Sequence, residues 1–369
     1  MILNESYSRL FHLFFYFALM HFILIFSFLT NNILYFFISF EAALIPLFLI
    51  VGGWGSRPAK QKAAYYLFFY TFLSSLFFFC FLGYFYAFNA SFSYTKWVLL
   101  FPSPYILLFL SLPFLTKLPL WPFHLWLPLA HVEAPTIGSV VLASLVLKMG
   151  AYGLIRFWLP FPSSFLLFPF LISLSLVSLL YAAFLAGRQA DFKRLVAYSS
   201  VSHMGVFLLG VLLFSSMSIK GSYLIVIGHG LSSAGLFSLV GFIYTRTHLR
   251  TILYFSGFIH SQPLFSLFFV LLFLGSMAFP PSINFLGELL VLNQVFISLG
   301  AFFILYLTIS LVIGVYYHLF VLNRVLFGAG SRFSSLVDLS FWECFLLLSW
   351  FIPLVLGGII SLPWLWNSL

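Results

Sequence analysis

Eleven stretches of this chain run for about twenty residues each with hardly a charge, which is the length an α-helix needs to cross a bilayer core. They lie near 10–29, 33–51, 63–87, 104–126, 135–157, 164–186, 195–214, 221–244, 255–298, 300–323 and 342–361. Composition agrees: 63% of the 369 residues are hydrophobic and 6% are charged, whereas a soluble globule carries about 25% charge. The expected fold is an all-α polytopic membrane protein of about eleven transmembrane helices.

Two of the eleven stretches are not simple rods. Pro113, Pro119 and Pro122 interrupt the fourth, and Pro280 and Pro281 interrupt the ninth. Proline removes a backbone donor and frees a carbonyl. In lipid such a break is tolerated only where it packs on protein or lines a cavity. The breaks stand five helices apart, which predicts two five-helix repeats, 10–157 and 164–323, flanked by an N-terminal segment 1–9 and a last helix at 342–361. An odd repeat length inverts the second copy, an architecture associated with transport.

The loops test that topology. Alternate loops place Arg9, Arg57, Lys60, Lys62, Arg188, Lys193, Arg194, Arg246, Arg250, Arg324 and Arg332 on one side. The other side holds only Lys96, Arg156 and Lys220. Basic loops mark the matrix or cytoplasmic face, so the N-terminus is expected inside and the C-terminus outside. This asymmetry, rather than nucleic-acid binding, accounts for the net charge of +9.

The remaining charges are the informative ones. Glu41, Lys117, Lys148 and Glu288 lie within apolar spans, where an ionised side chain costs roughly 3 kcal/mol on insertion scales. Such groups face a protein interior or a wet path and commonly carry ions or protons. Glu41 and Lys117 are candidates for an ion pair, since each offsets the other's burial. Two cysteines, Cys80 and Cys344, provide neither an iron–sulfur cluster nor a disulfide framework. GHGLSSAG at 228–235 has the wrong spacing for a phosphate loop and reads as a close helix-packing segment.

The segments FFISFEAALIP, YYLFFYTFLSS, LTKLPLWPFHLWLPLAHVEAPTIGSVVLASLVLKMGAYG, DFKRLVAYSSVSHMG and FPPSINFLGEL are together similar to the antiporter-like subunits of respiratory complex I, in particular those of the subunit 4 type. The resemblance covers roughly 33–330, and the block at 115–153 is very specific. It implies that Glu41, Lys117, Lys148, His203, His229 and Glu288 take part in proton translocation, with His124 as a candidate extension beyond the break. Glu288 distinguishes this chain from subunits 2 and 5, which usually carry lysine there. Family members usually have three more transmembrane helices before the segment at residue 10.

The resemblance further implies a membrane-arm subunit of NADH:ubiquinone oxidoreductase with no cofactor of its own; FMN, iron–sulfur clusters and quinone belong to other subunits. The implied location is the mitochondrial inner membrane, and the 53 phenylalanines fit the T-rich codons of an organelle genome. Implied partners are other membrane-arm subunits, including subunits 2 and 5, and lipids. An accessory protein or a separately encoded fragment is expected beside the first helices, and no nucleic acid is. Two other readings stay open: a subunit of a multisubunit cation/proton antiporter, and a non-pumping structural subunit.

Other residues read more plainly. Arg188, Asp191, Lys193 and Arg194 form a loop cluster that anchors topology, and His131 with Glu133 is placed in a loop. His12, His21, His248, His260 and His318 have no supporting context and are assigned to packing or to the membrane interface.

Overall fold

The computed structural model describes residues 7–55, 57–89, 92–93, 104–158, 168–328 and 337–366. Lys96 and Arg332 of the loop-charge argument lie outside them. Among the described residues, nine helices are long and apolar enough to cross a membrane. The fourth and ninth expected spans are instead broken into shorter apolar pieces. The chain separates into two compact units, Met1–Leu171 and Ile172–Leu369.

The first unit begins with α1 (Tyr7–Leu29), then α2 (Ile33–Ala42) and α3 (Leu44–Trp54). The Asn32 side chain accepts the Leu34 N–H at 3.0 Å and starts α2. Ile33–Trp54 forms one apolar span, as sequence predicts, with a single irregular residue at Ala43. Pro46 has no N–H for the carbonyl of Ala42 four residues earlier. Glu41 therefore sits beside a local irregularity of its span. After α4 (Lys60–Asn89) comes α5 (Pro104–Lys117). This helix runs through Pro113 without stopping, and the fourth span breaks only after Lys117, where Pro119 and Pro122 follow. A 3₁₀ turn, Phe123–Leu125, then leads into α6 (Trp126–Glu133). His131 and Glu133, placed in a loop by sequence, are buried on this half-helix. The unit closes with α7 (Thr136–Val141), a π-helical turn Leu142–Val146, and α8 (Leu147–Trp158).

Glycine lets α5 and α8 approach closely. A Cβ on Gly150 would lie 3.2 Å from the Lys117 Cβ, and one on Gly153 would overlap the Phe114 ring. Small residues three apart thus admit a phenylalanine and a lysine three apart on the facing helix. This contact seats Lys117 against the helix that carries Lys148.

The second unit contains α9 (Phe168–Gly187), α10 (Phe192–Leu212), α11 (Ser216–Thr247), α12 (Phe258–Ser261), α13 (Pro263–Ser276), α14 (Ile283–Leu299), α15 (Ala301–Leu326) and α16 (Phe341–Trp366). The unit boundary falls inside the first turns of α9. The ninth span is broken over 277–282, around the cis Pro280–Pro281 peptide. Its residues 255–262 precede the main helix instead of extending it. Ser282 accepts the Phe285 N–H at 3.4 Å and restarts the chain as α14. The first N–H groups of α13 are met from far along the chain: Leu264 and Phe265 donate to the two Asp338 oxygens at 2.8 and 2.9 Å. At the α16 start the Ser340 N–H and hydroxyl both donate to the Glu343 carboxylate, at 2.8 and 3.0 Å.

The glycine-rich segment of α11 does pack closely. Gly221 faces the Gly287 carbonyl, Gly228 faces Asn284, and Gly235 faces Leu272. Lys193 and Arg250, assigned to loops by sequence, are both buried, with Arg250 4.5 Å above the Tyr244 ring. Backbone bonds from Phe192 to the Arg250 carbonyl at 3.1 Å and from Ile252 to the Ala190 carbonyl at 2.8 Å tie these two segments together. Within the loop cluster Asp191 and Arg194 pair at 3.7 Å, with the arginine half-exposed.

Candidate functional site

In the first unit the broken helix delivers Lys117 at the C-terminal end of α5, where the helix dipole favours a cation. The side chain is 1% exposed. Its Nζ donates to the Phe40 carbonyl at 2.9 Å and lies 3.2 Å from the centroid of the Phe40 ring. Glu41 is the next residue, half-buried, and close enough for its charge to act on Lys117. Sequence makes Glu41 and Lys117 candidates for an ion pair; the ammonium's hydrogen bond goes to the backbone carbonyl one residue earlier, and the Glu41 charge acts on it from nearby. The Glu41 Oε1 is buried without a hydrogen bond, with the Ser75 hydroxyl nearby.

Lys148 follows the π turn, and its Nζ donates to the Ala143 carbonyl inside that turn at 2.6 Å. A π turn inserted in an α-helix often marks a functional position. No sequence signal announced it. His124 is buried in the 3₁₀ turn beyond the break. The neighbouring Trp126 folds this turn back on α5 by donating Nε1–H to the Thr116 carbonyl at 2.9 Å. The first unit thus groups Lys117 and Lys148 on adjoining helices, Glu41 beside Lys117, and His124 just past the break.

In the second unit three predicted residues meet directly. His203 Nδ1 on α10 and Glu288 Oε1 on α14 are 3.0 Å apart. The His203 and His229 rings have centroids 5.6 Å apart, which brings in α11. Three helices thus contribute to one buried polar cluster. Asn284 stands one turn from Glu288 on α14. It donates to the Gly275 carbonyl at 3.0 Å across the break, while its own Oδ1 is buried and unbonded. Glu288 and His203 line a cavity of about 250 Å³ together with Ser202, Ser276, Tyr317 and His318. That volume accommodates several waters at about 30 Å³ apiece.

His318 is the residue that sequence reasoning missed. Assigned to packing, it is 2% exposed and faces this cavity. It is a lone histidine in an apolar run, and only the tertiary contact with the broken helix gives it a context. Carboxylate, imidazole and hydroxyl groups that share a water-sized cavity can exchange protons. Among the described residues no cluster of three or more His, Cys, Asp or Glu is arranged to hold a metal.

A helical membrane protein with two broken helices, each adjoining buried ionisable groups, has the architecture of an ion- or proton-transporting bundle. Residues 30–314 match the family model described as NADH:quinone oxidoreductase/Mrp antiporter, TM. The chain belongs to this family. It is 41% identical over 351 residues to NADH-ubiquinone oxidoreductase chain 4 of Chondrus crispus, covering 93% of this chain and 71% of the relative. The same-named protein of Acanthamoeba castellanii is 38% identical over 319 residues, covering 83% and 63%. This chain therefore spans less than the full length of these relatives. Among solved structures, a chain of respiratory complex I from Thermus thermophilus with bound NADH superposes with a TM-score of 0.88 at 28% identity, covering 95% of this chain and 76% of that one. A chain of the Mrp complex from a Dietzia species superposes with a TM-score of 0.77 at 17% identity, covering 84% and 59%, and shows the shared fold.

Proposed function

We propose that this chain is an antiporter-like subunit of the membrane arm of NADH:ubiquinone oxidoreductase, of the chain 4 type, and that it moves protons without a redox centre of its own. The observation that carries this reading is the His203–Glu288 pair at 3.0 Å, joined by His229, beside a broken helix and a cavity. The family match and the chain 4 relatives support it. In this reading the two broken helices belong to two inverted five-helix repeats. Glu41, Lys117 and Lys148 serve in the first, and His203, His229 and Glu288 in the second, with His124 extending the first group. Quinone reduction in neighbouring subunits supplies the energy as a change of charge. Altered pairing at Glu41 and Lys117 shifts the proton affinity of Lys148, and Glu288 passes charge or protons onward.

The protein is then a multi-pass component of the mitochondrial inner membrane, with the N-terminus in the matrix and the C-terminus in the intermembrane space. Its neighbours are other membrane-arm subunits, among them subunits 2 and 5. Lys148→Ala and Glu41→Ala in the assembled complex are expected to lower proton-coupled quinone reduction while NADH oxidation by artificial acceptors continues. Normal coupled turnover in both would overturn the relay. The fold shared with an Mrp complex favours a second reading, a cation/proton antiporter subunit. Failure to co-purify with NADH-oxidising activity from detergent extracts would select it.

A further inference from the structure

We propose that His318 is a proton-carrying group of the Glu288 cavity, loaded and discharged through the hydroxyl of Ser276 at the end of the first half of the broken helix. The proposal rests on the proton-moving reading above. Its ground is hydrogen-bond accounting. His318 Nδ1 lies 2.8 Å from the Gly314 carbonyl, which can only accept, so Nδ1 carries a hydrogen. His318 Nε2 lies 3.0 Å from Ser276 Oγ. That same Oγ lies 2.8 Å from the Phe273 carbonyl, which already receives the Met277 N–H at 2.9 Å.

A serine hydroxyl has one hydrogen, so two assignments keep both ring nitrogens hydrogen-bonded. With neutral His318, the Ser276 O–H donates to Nε2. With His318 protonated, Nε2–H donates to Ser276 Oγ and the O–H turns to the Phe273 carbonyl. Both ring nitrogens keep a partner in both states. A buried histidine ordinarily loses a partner or gains an unmet donor when it titrates, and this one does neither.

The transfer balances as follows. A proton leaves the Glu288 carboxyl into cavity water, and that water protonates Ser276 Oγ as Ser276 gives its own hydrogen to Nε2. The new O–H then settles on the Phe273 carbonyl. The cavity has lost one proton and His318 has gained it, with no other bond changed. Discharge is the reverse. Ser276 is the last residue of α13, so the proton on His318 is read directly at the helix break. The titratable groups lining the cavity with His318 are His203 from α10, Glu288 from α14 and Tyr317 of its own helix.

The test uses the assembled complex, with coupled quinone reduction measured per NADH-oxidising unit across a pH series. His318→Leu is expected to lower the coupled rate about tenfold, a barrier change near 1.4 kcal/mol. Ser276→Ala keeps the ring and its Gly314 bond but leaves Nε2 unpartnered, more costly for the protonated ring. It is expected to shift the pH–rate profile towards acid, which a packing role would not do. Should His318→Leu fail to assemble, the Ser276→Ala profile decides. Wild-type coupling and an unshifted profile in these variants, with Glu288→Gln impaired, would overturn the role of His318 and leave the function standing. Wild-type coupling in Glu288→Gln as well would overturn the function itself.

Discussion

The two broken helices solve the same problem differently. In the first unit Lys117 donates to the Phe40 carbonyl, and Lys148 reaches the Ala143 carbonyl among its contacts. In the second, side chains meet each other, with Glu288 on His203 and His229 alongside. A carbonyl holds an ammonium in place but has no proton to exchange. A carboxylate against an imidazole offers two groups that both take and release protons. In the proposed function the first arrangement would hold a charge whose surroundings set its proton affinity, and the second would give a proton a place to wait. A groove lined by Phe77, Cys80, Phe81, Tyr84 and Phe109 in the first unit is apolar and away from its ionisable groups, whereas a cavity of the second holds Glu288 and two histidines.

The contrast is most exposed to failure at Glu288. Glu288→Gln keeps the hydrogen-bonding shape but cannot ionise, and is expected to lower coupled quinone reduction by about tenfold or more. Glu288→Asp should retain partial activity. Equal, wild-type-like rates in both would make the carboxylate structural and erase the difference between the units. The next effect belongs to the first unit. Gly153→Leu must displace the Phe114 ring and part α5 from α8, an overpacking cost of about 1–3 kcal/mol. It should lower the heat stability of the purified complex and, by unseating Lys117, the coupled rate with it. Unchanged stability would show that the small-residue crossing is not what positions the lysine.

Smaller effects belong to the caps of the second unit. Asp338→Ala removes the carboxylate that accepts two N–H groups of α13, and such caps are worth about 1 kcal/mol. A modest fall in heat-inactivation temperature is expected, with little change in the coupled rate. A large loss of coupling would show that the position of α13 is tuned by its far end. The least is expected of Arg246→Ala. Its pairing with Glu343 at 2.5 Å is partly solvated on both sides, and such pairs contribute at most about 1 kcal/mol. A loss of assembly there would mean that the last helix hangs on this contact.

The legible parts of the sequence were those with a local physical cause. Spans announced themselves by length and apolarity, the two breaks by clustered prolines, and Glu41, Lys117, Lys148 and Glu288 by the cost of burying charge. Pro113 misled because one proline can be carried inside a helix, and Pro46 was passed over although the span is irregular at Ala43, three residues before it. Lys193 and Arg250 read as loop charges, yet the fold buries both. His318 stayed hidden because a histidine in an apolar helix looks alike whether it packs against lipid or faces a cavity.

Sequence by itself determined the class of protein, its crossings and which charges are too costly to be accidental, since hydrophobicity, proline chemistry and desolvation act over one helix at a time. Tertiary structure alone decided the partnerships. It gave the Lys117 hydrogen bond to the Phe40 carbonyl, brought Glu288 to His203, and placed Ser276 against His318. Hydrogen bonds act within about 3 Å, and residues 42 or 85 positions apart along the chain reach that range only when helices pack.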